Sequence, residues 1–374
     1  MNVSRSNFKK DGQGMKKIIL GIVGILAVLT ITFLFLPAPI DPAAYTPSKS
    51  QPLAGVLAPN NLLQMAELLA LEKINGPEEV AVDSQGRVYG GTQDGKIMRL
   101  LPDGKLETFA DTKGRPLGIQ FDKNNNLIVC DSYKGLLSIN PHGKINVLAT
   151  SADNVPFKFT DALDISSDGT IYFTDASFKY GQNEYLYDLL ESKPYGRFLS
   201  YNPATGQTKV LLKNLYFANG VALSQQEDFV LINETYRYRI VRYWLRGPKA
   251  GTHEIFIDNL PGFPDNISNN HKGKFWLALF TVRNEVMDIL HPSPFLKAQM
   301  SKLPKFLWPK PKPYGMVLAL NEKGEIIQSL HDPSGKYLKE ITSAREYNGY
   351  LYLGSLHNDR IGKYRLPDTA DSGD

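Results

Sequence analysis

The run TDALDISSDG, residues 160–169, decides the fold: Asp161 stands two places ahead of an apolar alternation of period two, and a Ser-Asp-Gly turn closes the run. Such alternation marks a half-buried strand, and the turn residues say where it ends. The same arrangement recurs in both directions. Toward the N-terminus it reads Leu117 in RPLGIQFDKNN and Glu78 in GPEEVAVDSQG; toward the C-terminus it reads Asn219 in FANGVALSQQ, Asp265 in FPDNISNNHKG and Ile341 in EITSAREYNG. Copies spaced by roughly 40–55 residues and built from short strands predict an all-β fold, a six-bladed β-propeller whose equivalent positions face one axis. Four of those positions carry an oxygen, Glu78, Asp161, Asn219 and Asp265, with Asn266 as a fifth candidate. The set is hard, anionic and free of sulfur and imidazole, which is the donor chemistry of calcium.

Strand-like runs between the copies, such as RVYGGT, KIMRLL, TIYFTD and RFLSYN, are read as two inner strands per blade, with weaker outer strands such as LETFA and TKVLL. The sixth blade lacks an outer strand, and the region around 71–75 is expected to supply it and close the ring. Residues 61–71, NLLQMAELLAL, have helical apolar spacing. Gly and Pro, at 31 and 24, together with 19 Tyr and 18 Phe, suit short strands and tight turns.

The formal net charge of +4 lies entirely in residues 1–17, where five basic residues face one acid. The rest of the chain is neutral, so no basic stripe for nucleic acid is expected on the folded domain. The tail precedes 18–36, nineteen residues without a charge, long enough to span a bilayer. Flanking lysines predict a signal anchor with residues 1–17 cytoplasmic and the remainder outside the cytoplasm. A cleaved signal peptide is the rival reading, although the following PAPIDPAAYTP shows no clear small-x-small site. The expected organisation is a basic tail (1–17), an anchor (18–36), a spacer (37–60), the propeller (61–368) and a short tail (369–374).

Cys130 is the single cysteine, so no intramolecular disulfide forms, and LIVCD places it on a buried strand. Asn233 and Asn266 stand in glycosylation-like triplets, the latter at the expected axis. His142, His271 and His331 fall in turns and are expected to face solvent. Two insertions, 177–195 and 284–314, interrupt the third and fifth blades and should emerge on one face beside the axis. The second combines Phe295, Leu296, Phe306 and Trp308 with five lysines. It reads as a lid over an apolar pocket, as a segment resting on a membrane, or as a loop packed on the blades.

The stretches FTDALDISSDGTIYFTDASFKY, YGRFLSYNPATGQTKVLLKNLYFANGVALSQQEDFVLINETYRYRI, LPGFPDNI and LYLGS closely resemble the strictosidine synthase-like family, the group of the adipocyte plasma membrane-associated proteins. The likeness covers nearly the whole chain. More distantly, the axial positions resemble those of senescence marker protein 30, gluconolactonases and paraoxonases, which implies a catalytic calcium held at Glu78, Asn219, Asp265 and Asn266. Where those relatives usually carry Asn-Asp, this chain has Asp161-Ala162, so an anionic ligand stands for a neutral one. The carboxylate implied for strictosidine-type condensation falls on Thr342, with Glu340 nearby, which speaks against that reaction.

The axial chemistry suits hydrolysis of an ester or lactone in a small-molecule substrate. Asp265 is the first candidate for base or nucleophile and His357 the second. For a lone histidine a loop or surface role is the competing account. The other class of function is a membrane-tethered propeller with a structural calcium that binds a ligand or protein without turning it over.

Overall fold

The computed structural model describes residues 5–367; the expected C-terminal tail at 369–374 and residues 1–4 of the basic tail lie outside the described residues. Six four-stranded antiparallel sheets form the blades, spanning 80–111, 116–149, 160–215, 218–257, 262–332 and 341–365. Neighbouring sheets pack face to face through apolar side chains. Between the first two blades, for example, Tyr89, Ile97, Ile119, Leu127 and Val129 form one buried cluster. Each such side chain contributes about 1.5–3 kcal/mol on burial.

Each blade starts at the axis with the strand that carries the repeated position. The runs read as inner strands are therefore the second and third of each blade, as Val88–Gly91 and Lys96–Leu100 are in the first. The turn after the innermost strand holds a left-handed residue, Gly86, Asn125, Gly169 or Gly273 in four of the blades, which explains the turn signals of the repeat. Asp83 and Asp122 fix two of these turns by accepting backbone N–H groups two and four residues on, at 2.8–3.0 Å.

The ring closes where a strand at Glu67–Leu69 pairs antiparallel with Ile361–Arg365 as the outer strand of blade six. Closure from the N-terminal side is as expected, but it falls ahead of 71–75. The helical reading of 61–71 is wrong as well: Leu62–Met65 is one turn of 3-10 helix and the strand follows directly. Pairing with the last blade overrides a local pattern this short.

The chain reaches that strand along the outside of blade five. Asn60 donates from its side chain to the Ser329 carbonyl at 3.0 Å, the Ser329 hydroxyl donates to the Val56 carbonyl at 2.5 Å, and Leu63 is fully buried. Residues 37–54 form a strap over the face bearing the insertions. The Ala43 and Tyr45 N–H groups donate to the carbonyls of Glu191 and His291 at 2.9 and 3.0 Å, and Arg283 donates to Ser48 O at 2.8 Å. Before the strap runs helix α1, Arg5–Phe35, whose stretch Met15–Phe35 is long and apolar enough to cross a membrane once.

Candidate functional site

At the start of the innermost strand in blades two to six, two residues oppose one on the partner strand. The pairs are Leu117 with Gly118, Asp161 with Ala162, Asn219 with Gly220, Asp265 with Asn266, and Thr342 with Ser343. A bulge re-aims a side chain, and here the first residue of each pair lines one central cavity together with Glu78 of blade one. The inner strands crowd at this point. A Cβ on Gly118 would come within 2.6 Å of the Asp161 carbonyl and one on Gly220 within 2.5 Å of the Asp265 carbonyl, so these positions admit no side chain.

The sixth axial residue is Thr342 rather than Ile341, which is buried in the sheet core. The blade-six hairpin turns through only Asn348 and Gly349, at φ 47° and 77°, whereas the other blades use longer turns. An offset counted back from the turn glycine therefore lands one residue short.

Hydrogen bonds between blades fix the backbone of the axial residues. Thr342 and Ser343 hydroxyls donate to Glu78 O at 2.6 and 2.9 Å, Thr174 to Asn219 O at 2.7 Å, and the Asn233 amide to Asp265 O. The Asn266 amide donates to Glu78 Oε1 at 2.8 Å. Four buried side-chain oxygens of the axial residues then remain with no hydrogen-bond partner among the described residues: Glu78 Oε2, Asn219 Oδ1, Asp265 Oδ1 and Asn266 Oδ1. Orphaned buried acceptors are rare because each carries a desolvation cost of about 1–3 kcal/mol, and four together fit a hard cation. Asp161 lines the same cavity. Among the described residues no three His, Cys, Asp or Glu side chains form a metal cluster unaided, so the amides of Asn219 and Asn266 are integral to the set.

Burial, and then the facing Asp265 and Asp161, raise the Glu78 carboxyl well above its ordinary range. Asp161 is raised by burial and Asp265, and Asp265 is pushed up to about 8, first by burial. Sequence reasoning missed Arg115, a buried arginine whose charge opposes these shifts at Glu78 and Asp161; its Nη1 donates to Gly76 O at 3.0 Å, and Nη2 has no partner. Its position two residues ahead of an axial site was the available signal.

The cavity holds about 250 Å³. Its walls are mainly apolar and come from both insertions, which fold into helices α2 (Tyr185–Glu191), α3 (Glu285–Leu290) and α4 (Pro294–Ser301), with Leu186, Met287 and Trp308 among the lining residues. His357 also lines it and is not alone: Nδ1 meets Glu340 Oε2 at 2.6 Å, and the ring lies edge-on to Phe280. Thr342 puts no carboxylate here.

The other expectations divide. Cys130 is fully buried, and burial raises its thiol far above the usual range. His142 and His271 are exposed, but His331 stands on the strand Ile326–Asp332 instead of in a turn and is fully buried, hydrogen-bonded to Tyr314 at 2.9 Å and to Ser329 at 2.8 Å; that strand lies against the incoming N-terminal segment, which the local sequence does not reveal. Asn233 and Asn266 are both buried, so neither triplet presents a glycan acceptor.

The strictosidine synthase family profile matches residues 161–248, and the profile for the N-terminal part of strictosidine synthase-like proteins matches 55–100. The adipocyte plasma membrane-associated protein of Rattus norvegicus is 37% identical over 372 residues, covering 92% of this chain and 97% of that protein. Strictosidine synthase-like protein 3 of Arabidopsis thaliana is 35% identical, covering 82% and 86%. Among solved structures, a gluconolactonase from Xanthomonas campestris superposes with a TM-score of 0.60 at 16% identity, covering 89% of this chain and 97% of that one. Regucalcin from Agrobacterium tumefaciens, described as a calcium-binding protein, gives 0.59 at 13%, covering 81% and 94%. At such identities the superpositions speak for the shared fold alone. The near full-length likeness at more than a third identity is decisive: this six-bladed propeller belongs to the strictosidine synthase-like family, with the adipocyte plasma membrane-associated proteins.

Proposed function

We propose that the chain is a calcium-dependent hydrolase of esters or lactones in small-molecule substrates, held at a membrane by α1 with the propeller outside the cytoplasm. The observation that carries this reading is the group of four unpartnered oxygens from three blades beside an apolar cavity. Glu78, Asn219, Asp265 and Asn266 would hold the ion, with Asp161 adjacent. Calcium bound there would supply polarisation of a carbonyl and stabilisation of the developing oxyanion.

The rest falls to the protein. The apolar walls bind the substrate's hydrocarbon part and exclude water from the floor. Glu340 accepts from Nδ1 of His357, which orients the ring and leaves Nε2 to take a proton from an attacking water. Asp265 serves primarily as a ligand, although its raised proton affinity also suits a base.

The test is a panel of aryl esters and lactones given to the full chain with and without a chelator. Turnover that disappears with chelator and returns with calcium is expected. Absence of turnover across the panel, with calcium still raising the melting temperature, would replace the hydrolase by a propeller that only binds its ligand.

A further inference from the structure

The apolar side chains at the tips of the second insertion are left largely exposed by the described residues. Val286, Ile289, Phe295, Leu296, Phe306 and Leu307 are each between 44% and 72% exposed, all within 286–307, whereas exposed large apolar residues on the blades are scattered singly. A concentration of this kind marks an interaction surface. Three observations say what covers it.

The first is the length of the tether. Ile40 is buried among Tyr180, Leu190, Met287, Leu290 and Trp308, so the strap is fixed to the insertions five residues after α1 ends at Phe35. Five extended residues reach at most about 18 Å, so this face cannot move far from the surface that α1 leaves. The second is direct contact: Lys302 Nζ donates to the Phe33 and Leu34 carbonyls at 3.2 and 3.1 Å, at the C-terminal end of α1. The third is composition. Lys305 and Lys310 are exposed in the same stretch, placing cations beside the apolar tips as amphipathic membrane-surface segments do.

We infer that the second insertion is seated in the lipid surface crossed by α1, with Ile289, Phe295 and Phe306 below the headgroups and the lysines among them. Residues of that segment, Met287, Lys305, Trp308 and Lys310, also line the axial cavity. The cavity mouth thus opens at the lipid, and an apolar ester or lactone enters it from the bilayer. This last step rests on the hydrolase reading; the seating itself rests only on α1 being the anchor.

Cys130 is fully buried, so introduced cysteines can be labelled singly in the full chain. Ile289→Cys, Phe306→Cys, Lys105→Cys on the opposite face and Ile25→Cys in α1 would carry bimane in vesicles of phosphatidylcholine with phosphatidylserine. Doxyl lipids should quench the labels at 289, 306 and 25, placing 289 and 306 about 5–10 Å into the interface, while iodide should quench only the label at 105. Iodide quenching at 289 and 306 equal to that at 105, with 25 in lipid, would overturn the seating and leave the anchor standing. Shielding of 289 and 306 from both quenchers would mean that protein, not lipid, covers the patch. A label at 25 outside the lipid would sink anchor and seating together. Hydrolysis of the soluble panel is unaffected by any of these outcomes, so failure of the hydrolase reading is seen separately.

Discussion

Glu78 and Asp265 hold unpartnered oxygens in a site where burial raises the proton affinity of three carboxylates, and where Asp265 adds to the rise at both Glu78 and Asp161, so a bound cation relieves both problems at once. Glu78→Gln and Asp265→Asn should each weaken calcium binding at least tenfold by calorimetric titration, about 1.4 kcal/mol; parental affinity in either variant would remove that residue from the ligand set. Asp161→Asn separates charge from coordination. It keeps an oxygen donor and removes one negative charge, so calcium affinity should hold or fall. Turnover at saturating calcium should rise if carbonyl polarisation limits the rate, and an unchanged or lower rate at full occupancy would show that it does not. Five of the oxygen-bearing residues were legible because each of their blades begins at a constant distance before its first turn, and in blades three, four and five a bulge sits at that constant place. The repeat offset fell on Ile341 instead of Thr342, because that hairpin is shorter; Arg115 was not legible because its role arises from contacts between blades, and the pairing of Glu340 with His357 was not because it joins the two ends of a hairpin within blade six.

Strap and insertions form one element in practice, and their junction is sensitive to acid. His291 is fully buried beneath Tyr45, with Ser192 at 3.4 Å, and faces the cations Lys297, Arg237 and Arg283. Burial first, and then those cations, depress its imidazole from 6.5 to about 3. The unfolded chain takes up a proton below 6.5 that the folded chain refuses until about 3, so this contribution to stability is intact above 6.5 and is lost as pH falls toward 3. The loss approaches about 1.4 kcal/mol per pH unit. Thermal melts between pH 7.5 and pH 5 should fall more steeply for the parent than for His291→Gln; parallel curves would mean that another group carries the acid sensitivity. The sequence showed where the insertions begin and end, since they break the repeat. It could not show the strap's attachment, because Ala43, Tyr45 and Ser48 are held largely through backbone atoms, which leave no residue signature.

For the whole molecule, the propeller was readable from periodicity, the apolar helix α1 from an uncharged span, and their relative orientation from neither. The lysines in the N-terminal part of α1, ahead of its uncharged span, predict the direction of crossing. Reporters fused after residue 367 should therefore be active only outside the cytoplasm; activity of a cytoplasmic reporter, or a mature N-terminus near residue 40, would overturn the single-pass anchor.

The closing strand at Glu67–Leu69 lies on the same stretch of chain that leads back to α1. Tension applied through α1 is therefore taken up in series. It meets the ion pair of Asp41 with Lys193, then the Ala43 and Tyr45 bonds, then Ser48, Val56 and Asn60 along blade five, and only afterwards the three-residue pairing that holds the ring shut. The strap works as a strain relief. Peptide-bond cleavage between 36 and 40 would shed an intact ring, whereas cleavage just past residue 70 would break the covalent link between the closing strand and blade one and leave blades six and one joined by side-chain contacts such as those of Thr342 and Ser343 with the Glu78 carbonyl.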